Sequence, residues 1–495
     1  MNNKLVEGIK SLERSERSRF DAFLRSPYHN TRKLSVSCWE FLQQFAPDFC
    51  HTSLTMETLG QHLFPHKKST RQAVLDEISH LYRLLKSFWE IEALQADPLL
   101  QRSLRLQQLS ERGLDRLYAV ERKVAQKRLE TANLRSERYY QYELSWATID
   151  NEHFGRQQQR TVDESLSQRL HALDVYYLIV ALRESCEALN RQHILNASYS
   201  IPLLPAMVEL LSDSTHPYRA IPFIDTYYHI FLTLQTTATE KDYEALLLTL
   251  RRFRDRFSEQ DRRAMYKYAQ NFCIRKMNLG HPAYAQKLFS LYQELLEEKI
   301  LLLNNQLAHT DYKNIATTGI RVKALDWVET FMETYRYHVD AEFRENVYAY
   351  CSASLEVEKG NTQLAIRLLH QISHIDVHYQ LSARQLLTKI YYQNDDLEAL
   401  LYTIQAYRHF LKRNREIPKS RRQAHLSFLT LLKSLALMRD RLPTYSQEKR
   451  QMTLLSYQER LQKAPALSNR SWLKEAFEAL RENEKPIQAS RVRSS

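Results

Sequence analysis

Glycine is scarce in this chain. Seven occur in 495 residues, at positions 8, 60, 113, 155, 280, 319 and 360, and the closest pair is 39 residues apart. A phosphate-cradling GxxxxGK loop, a dinucleotide-binding GxGxxG turn and a GxSxG nucleophile elbow each need two glycines within about six residues. All three are excluded. Proline is also sparse, at thirteen, where roughly 5% of residues is usual. A chain so poor in turn residues and rich in Leu, Arg, Gln, Glu and Ala favours helix nearly everywhere. No stretch alternates apolar and polar residues for long enough to require a strand.

Cysteine is sparse too. The five, at 38, 50, 186, 273 and 351, form no CxxC pair and have no ligand-like spacing to histidine. Their odd count and wide separation point to reduced thiols in a cytoplasmic protein. The opening MNNKLVEGIK lacks the apolar core of a signal peptide, and the longest apolar run, Val175 to Leu182, is too short to span a bilayer. No membrane association is expected.

Charge is plentiful and biased. Net charge is +12 with a pI near 9.2, which raises the question of an anionic partner such as nucleic acid. Glu and Asp are interleaved almost everywhere, however, so a solvated surface is the preferred reading.

Apolar spacing then divides the chain. Residues 1–95 read as a helical head, with helices at Leu5–Leu12, Ser15–Leu24, 32–45, 54–63 and 69–94. Ser26-Pro27 stops the second of these, because proline drives its predecessor out of the helical region. Residues 96–200 form a middle segment of long helices. In it, Asp115–Arg138 is read as one exposed helix laced with i, i+4 pairs. Residues 201–483 hold the clearest pattern, and 484–495 read as a flexible polar tail.

That pattern is a helix–turn–helix repeat. VYAYCSASLEVEKGNTQLAIRLL turns at Gly360, and ARQLLTKIYYQNDDLEALLYTIQAYRHFL turns at Asp395, 35 residues on. Leu355 then falls on Ile390 and Ala365 on Leu400. Such a period, with two amphipathic helices per unit, is the signature of a tetratricopeptide-like repeat. Further turns are placed near Lys241-Asp242, Gly280 and Leu325-Asp326. The repeat asks for small residues twelve positions apart where its helices cross. Cys273 and Ala285 fit, as do Ala353 and Ala365. Thr318 and Thr330 fit in size only, and Thr388 with Leu400 departs at the second position. Helices at 421–439, 447–463 and Trp472–Glu482 would cap the array.

Four stretches carry a family likeness: FDAFLRSPYHN (Phe20–Asn30), CEALNRQHILN (Cys186–Asn196), NFCIRKMNLG (Asn271–Gly280) and KIYYQNDDLEALLYTIQAYRHFLKR (Lys389–Arg413). As a set they resemble a family of uncharacterised bacterial helical-repeat proteins of about this length. His29 departs from the aromatic residue the resemblance leads one to expect there. What the likeness implies is an all-helical fold with tetratricopeptide-like repeats. It brings no assigned activity and no catalytic residues.

Three constellations invite chemistry. HQISHIDVH places His370, His374, Asp376 and His378 at spacings that suit zinc or iron on one unbroken helix. A turn near Ile375-Asp376 would separate them, so no metal and no cofactor is expected. HLFPH, with His62 and His66 about Pro65, reads as a helix end. Lys267, Asn271, Arg275 and Asn278 recur along one face of a helix that would line the concave surface, where they could hold a peptide's backbone or carboxylate. Arg251, Arg252, Arg254, Arg256, Arg262 and Arg263 could bind phosphate, although Asp255, Glu259 and Asp261 lie among them.

Together these features predict an all-α protein: a helical head and an α-solenoid of degenerate tetratricopeptide-like repeats. Its expected function is non-enzymatic, the binding of another protein or an extended peptide on the concave face. The alternative is a nucleic-acid-associated role through the Arg/Lys clusters at 251–263 and 413–422.

Overall fold

The structure is a computed structural model that describes residues 3–65, 71–131, 134–157, 164–195, 198–372, 377–464 and 467–483. It is all-helical, and its elements fall into two compact units, Met1–Val180 and Ala181–Ser495.

The first unit begins with α1 (Lys4–Lys10), α2 (Arg14–Arg25), α3 (Lys33–Gln43), α4 (Met56–Leu63) and α5 (Arg71–Ala96). Phe20, Trp39, Leu42, Leu81, Leu85 and Phe88 interlock in their core, and Phe20 meets Trp39 edge to face at 5.0 Å. Then come α6 (Pro98–Glu111), α7 (Asp115–Glu130), α8 (Glu137–Arg156) and α9 (Glu164–Leu195), inside which the division at Val180 falls. The helix expected over Asp115–Arg138 is shorter, since α7 ends at Glu130 and only Glu137 and Arg138 of that span fall in α8. The ion pairs of α7 among the described residues run to other helices. Glu121 pairs with Arg102 and Arg105 of α6, and Arg122 with Asp150 of α8.

The second unit continues with α10 (Leu204–Leu211), α11 (Pro222–Leu234), α12 (Glu240–Arg252), α13 (Glu259–Asn278) and α14 (Tyr284–Glu297). A two-residue hairpin, β1 (Leu302–Leu303) with β2 (Gln306–Leu307), follows. Asn304 and Asn305 both have positive φ there, as a two-residue type I′ turn demands. After it come α15 (His309–Arg321), α16 (Leu325–Tyr335), α17 (Ala341–Glu358), α18 (Thr362–His370), α19 (Val377–Gln393), α20 (Leu397–Arg413), α21 (Lys419–Arg441), α22 (Gln447–Lys463) and α23 (Arg470–Asn483). From α11 onward each helix packs on the next, and α11 also meets α13, α15 meets α17, α17 meets α19, and α21 meets α23.

The helix ends explain the register. A helix leaves its last carbonyls without intrahelical donors, and a residue in the left-handed region lets the chain turn back to supply them. Helices α6, α13, α14, α15, α17 and α19 all end this way, with Gly113, Gly280, Lys299, Lys323, Gly360 and Asp395 at positive φ. In each, the next residue's amide also bonds back to the helix, as His281 does to Lys276 and Ala324 to Gly319. The turn read at Leu325-Asp326 thus lies at Lys323, two residues earlier. Two residues earlier than Thr318 and Thr330, Ala316 and Val328 are both fully buried, while Thr330 is exposed. Val328 fits because Gly319 faces it; a Cβ on Gly319 would lie 2.5 Å from Val328 Cγ2. Likewise the turn near Lys241 precedes α12, whose start is set by a Thr239–Asp242 capping box.

Two expectations follow. Lys299 is exposed and strained at φ 57°, so Lys299→Gly should raise stability by about 0.5–1 kcal/mol, while Gly360→Ala should lower it by about 1 kcal/mol. Thermal midpoints of the full chain measure both. Separately, burial, with Arg421 nearby, pushes His425 down to about 4. Its Nδ1 lies 2.9 Å from the Tyr407 hydroxyl, which also donates to the Leu381 carbonyl. The unfolded imidazole, at about 6.5, takes up a proton more readily, so this stability is full above that pH and falls as pH drops towards 4. Melting across that window should show a loss on the order of 3 kcal/mol that His425→Gln largely removes.

Candidate functional site

Within the second unit, the C-terminal half of α9 faces α13 across a groove of about 480 Å³. Arg183, Glu187 and Asn190 recur on one side of α9 at i, i+4 and i+7. Ala264, Lys267, Tyr268 and Asn271 do the same on α13, and Tyr227 of α11 lies between. These periodicities bring one stripe of each helix to the same space.

The two stripes are joined by side chains. Asn271 Nδ2 donates to Asn190 Oδ1 at 3.2 Å, and the Tyr268 hydroxyl donates to Glu187 at 3.3 Å. Burial raises the Tyr227 and Tyr268 phenols well above their ordinary range, so both stay protonated donors. Glu187 also pairs with Arg191 at 2.6 Å, and Glu184 with Arg183 at 2.8 Å. The groove therefore holds charges of both signs, each opposed. That bond uses the Asn190 oxygen and one Asn271 N–H, which leaves the Asn190 NH2 group and the Asn271 oxygen for other partners.

Of the four residues expected on this face, Lys267 and Asn271 line the groove. Lys267 forms an ion pair with Asp311 in the first turn of α15, a side chain only 2% exposed, and Arg263 reaches the same carboxylate at 3.4 Å. Arg275 turns the other way. Its guanidinium donates to the Thr233 carbonyl near the end of α11 and lies 5.6 Å from the Phe272 ring, and burial lowers its pKa. Asn278 is exposed at the last residue of α13. The α9 contributors Arg183, Glu187 and Asn190 escaped the sequence reading. Their i, i+4, i+7 spacing was visible, but their opposition to α13 spans 81 residues for Asn190 and Asn271.

The arginines at 251–263 do not converge. Arg251 makes a two-pronged contact with Glu294 of α14 at 2.9 and 2.7 Å. Arg252 lies over Phe253, Arg254 is 3.6 Å from Asp255, and Arg256 is exposed. Arg262 is 3.9 Å from Glu298, and Arg263 joins Lys267 on Asp311. In the 413–422 segment, Arg422 donates to the carbonyls of Asn414 and Ile417 at 2.8 and 3.1 Å.

For the histidine motif, α18 ends at His370 and α19 begins at Val377. His374 and Asp376 lie outside the described residues, as does the side chain of His378. His62 sits in α4 within 3.2 Å of Ser37 Oγ, and His66 lies outside the described residues. Among the described residues no group of three or more His, Cys, Asp or Glu side chains is placed to hold a metal ion. Nor is any helix among them long and apolar enough to cross a membrane. Comparison of the chain with protein-family models, curated proteins and solved structures finds no match.

Asp311 is the charge on which this side of the groove rests. Removing it leaves Arg263 and Lys267 facing each other in a partly buried space. Asp311→Asn should lower stability by about 3 kcal/mol, read as a fall in the urea midpoint. Lys267→Met should do less, because Arg263 still holds the carboxylate.

Proposed function

We propose that this protein is a non-enzymatic, cytoplasmic binding scaffold. In this reading α11 to α23 form an α-solenoid of tetratricopeptide-like units, as in the bacterial helical-repeat family that the sequence resembles. An extended peptide segment of a partner protein is held in the groove between α9 and α13. The observation that carries this is the Asn190–Asn271 pair. It leaves an amide NH2 group on Asn190 and an amide oxygen on Asn271 in a groove whose charges are already balanced, which suits a peptide unit better than a net charge. Support for the repeat architecture comes from the recurring helix end at Gly280, Lys323, Gly360 and Asp395, and from the packing of odd-numbered helices on one another. The arginines on which a nucleic-acid role would rest are largely engaged by carboxylates and carbonyls, so a protein partner is preferred.

The test is to pan the immobilised full chain against a displayed library of random peptides, with nuclease-treated lysate as a parallel arm. Peptides should enrich on the wild type and bind about tenfold or more weakly to Asn190→Ala/Asn271→Ala. The reading fails if no peptide enriches, or if the retained material is nuclease-sensitive and leaves steeply with salt.

A further inference from the structure

The first unit holds a second groove, of about 670 Å³, along the outer side of α2. While Phe20, Phe23 and Leu24 face the core, Arg14, Arg17, Ser18, Asp21 and Arg25 line the opposite stripe, and Gln43 at the end of α3 forms part of the far wall. Asp21 is already taken. Arg25 grips it at 2.9 and 3.2 Å and reaches Glu40 at 2.7 Å. Arg14 and Arg17 have no hydrogen-bond acceptor or ion-pair partner among the described residues, and Arg17 Nε is buried without one.

The same helix position elsewhere shows what Arg17 lacks. Arg344, Arg422 and Arg450 are also the fourth residues of their helices, α17, α21 and α22. Each folds back on carbonyls of the preceding turn: Arg344 on Val339 at 2.9 Å, Arg422 on Ile417 at 3.1 Å, Arg450 on Tyr445 at 2.9 Å. Arg17 instead opens onto the groove. A guanidinium presents a rigid fork that matches phosphate oxygens. Side-chain bases three residues apart on a helix lie roughly 5–6 Å apart. Two such forks address two anionic groups on one molecule better than a single tetrahedral ion. The Ser18 hydroxyl and the Gln43 amide add neutral donors on the same lining.

We propose that the Arg14–Arg17 groove is an oligophosphate-binding site, independent of the peptide groove in the second unit. Its ligand is a di- or triphosphate moiety, free or at the end of a larger molecule. Calorimetric titration of the full chain with sodium tripolyphosphate, pyrophosphate and sulfate at low ionic strength tests this directly. Tripolyphosphate should bind one to one, about tenfold or more tightly than sulfate, and Arg14→Ala/Arg17→Ala should weaken it about tenfold or more. Arg17→Lys, which keeps the charge and loses the fork, should weaken it less, by about threefold. Arg252→Ala/Arg254→Ala should bind like the wild type. Neither Arg14 nor Arg17 has an acceptor to lose, so the thermal midpoint of the double variant should fall only slightly, by the lost packing of the half-buried Arg17 stem. Absence of saturable tripolyphosphate binding overturns the proposal. So does equal affinity in the Arg14→Ala/Arg17→Ala variant, or sulfate binding as tight as tripolyphosphate.

Discussion

The structure depends on finding donors for the carbonyl groups at the ends of its helices. Every helix leaves several such oxygens unpaired, and burying them unpaired is costly. The usual remedy is a glycine just past the helix, and this chain has few. Gly113, Gly280 and Gly360 serve that way, but Lys299, Lys323 and Asp395 take the same left-handed backbone without glycine's freedom. Elsewhere arginine side chains supply the donors. Arg344, Arg422 and Arg450 close the turns before their own helices, Arg470 donates to the Leu461 carbonyl, and Arg219 to that of Leu211.

This use of arginine changes the meaning of the positive charge. A net charge of +12 would ordinarily direct attention to polyanions. Here several cations bond backbone carbonyls instead: Arg219 and Arg470 reach the last turns of α10 and α22, while Arg344, Arg422 and Arg450 bond loop carbonyls from the first turns of their own helices. Lys276 donates to Ala238 and Arg275 to Thr233 in the same manner. Those two bonds tie α13 to the end of α11 and to the turn after it, and so hold one wall of the groove between α9 and α13. Arg14 and Arg17 stand apart from this arrangement, with no carbonyl or carboxylate partner among the described residues.

Where the sequence carried a physical mark, it was legible. Apolar stripes and proline stops placed α2, α4 and α5 within a few residues, and α22 falls on 447–463 as read. Gly280 and Gly360 marked their turns because few other residues tolerate that backbone. Lys323 carries no such mark, so its turn was read two residues late. The stretch after Glu130 has neither glycine nor proline, so α7 was read eight residues too long, to Arg138. The hairpin at Asn304-Asn305 was missed because two-residue strands have no periodicity to read. For the candidate site, Lys267 and Asn271 were found from helical spacing alone. Their partners on α9 and the inward turn of Arg275 were not, since both depend on packing between helices far apart in sequence.

The central claim is that the excess arginines act on the chain's own carbonyls. It is tested most directly by a triple variant, Arg344→Met/Arg422→Met/Arg450→Met, which keeps the aliphatic stems and removes the donors. Thermal melting and heparin elution would be measured on the same preparation. The triple variant should melt markedly lower, with each lost donor worth about 1 kcal/mol, and its heparin elution should scarcely change. An unchanged melting point together with clearly earlier elution from heparin would contradict the account and return these arginines to the role of surface charges for a polyanion.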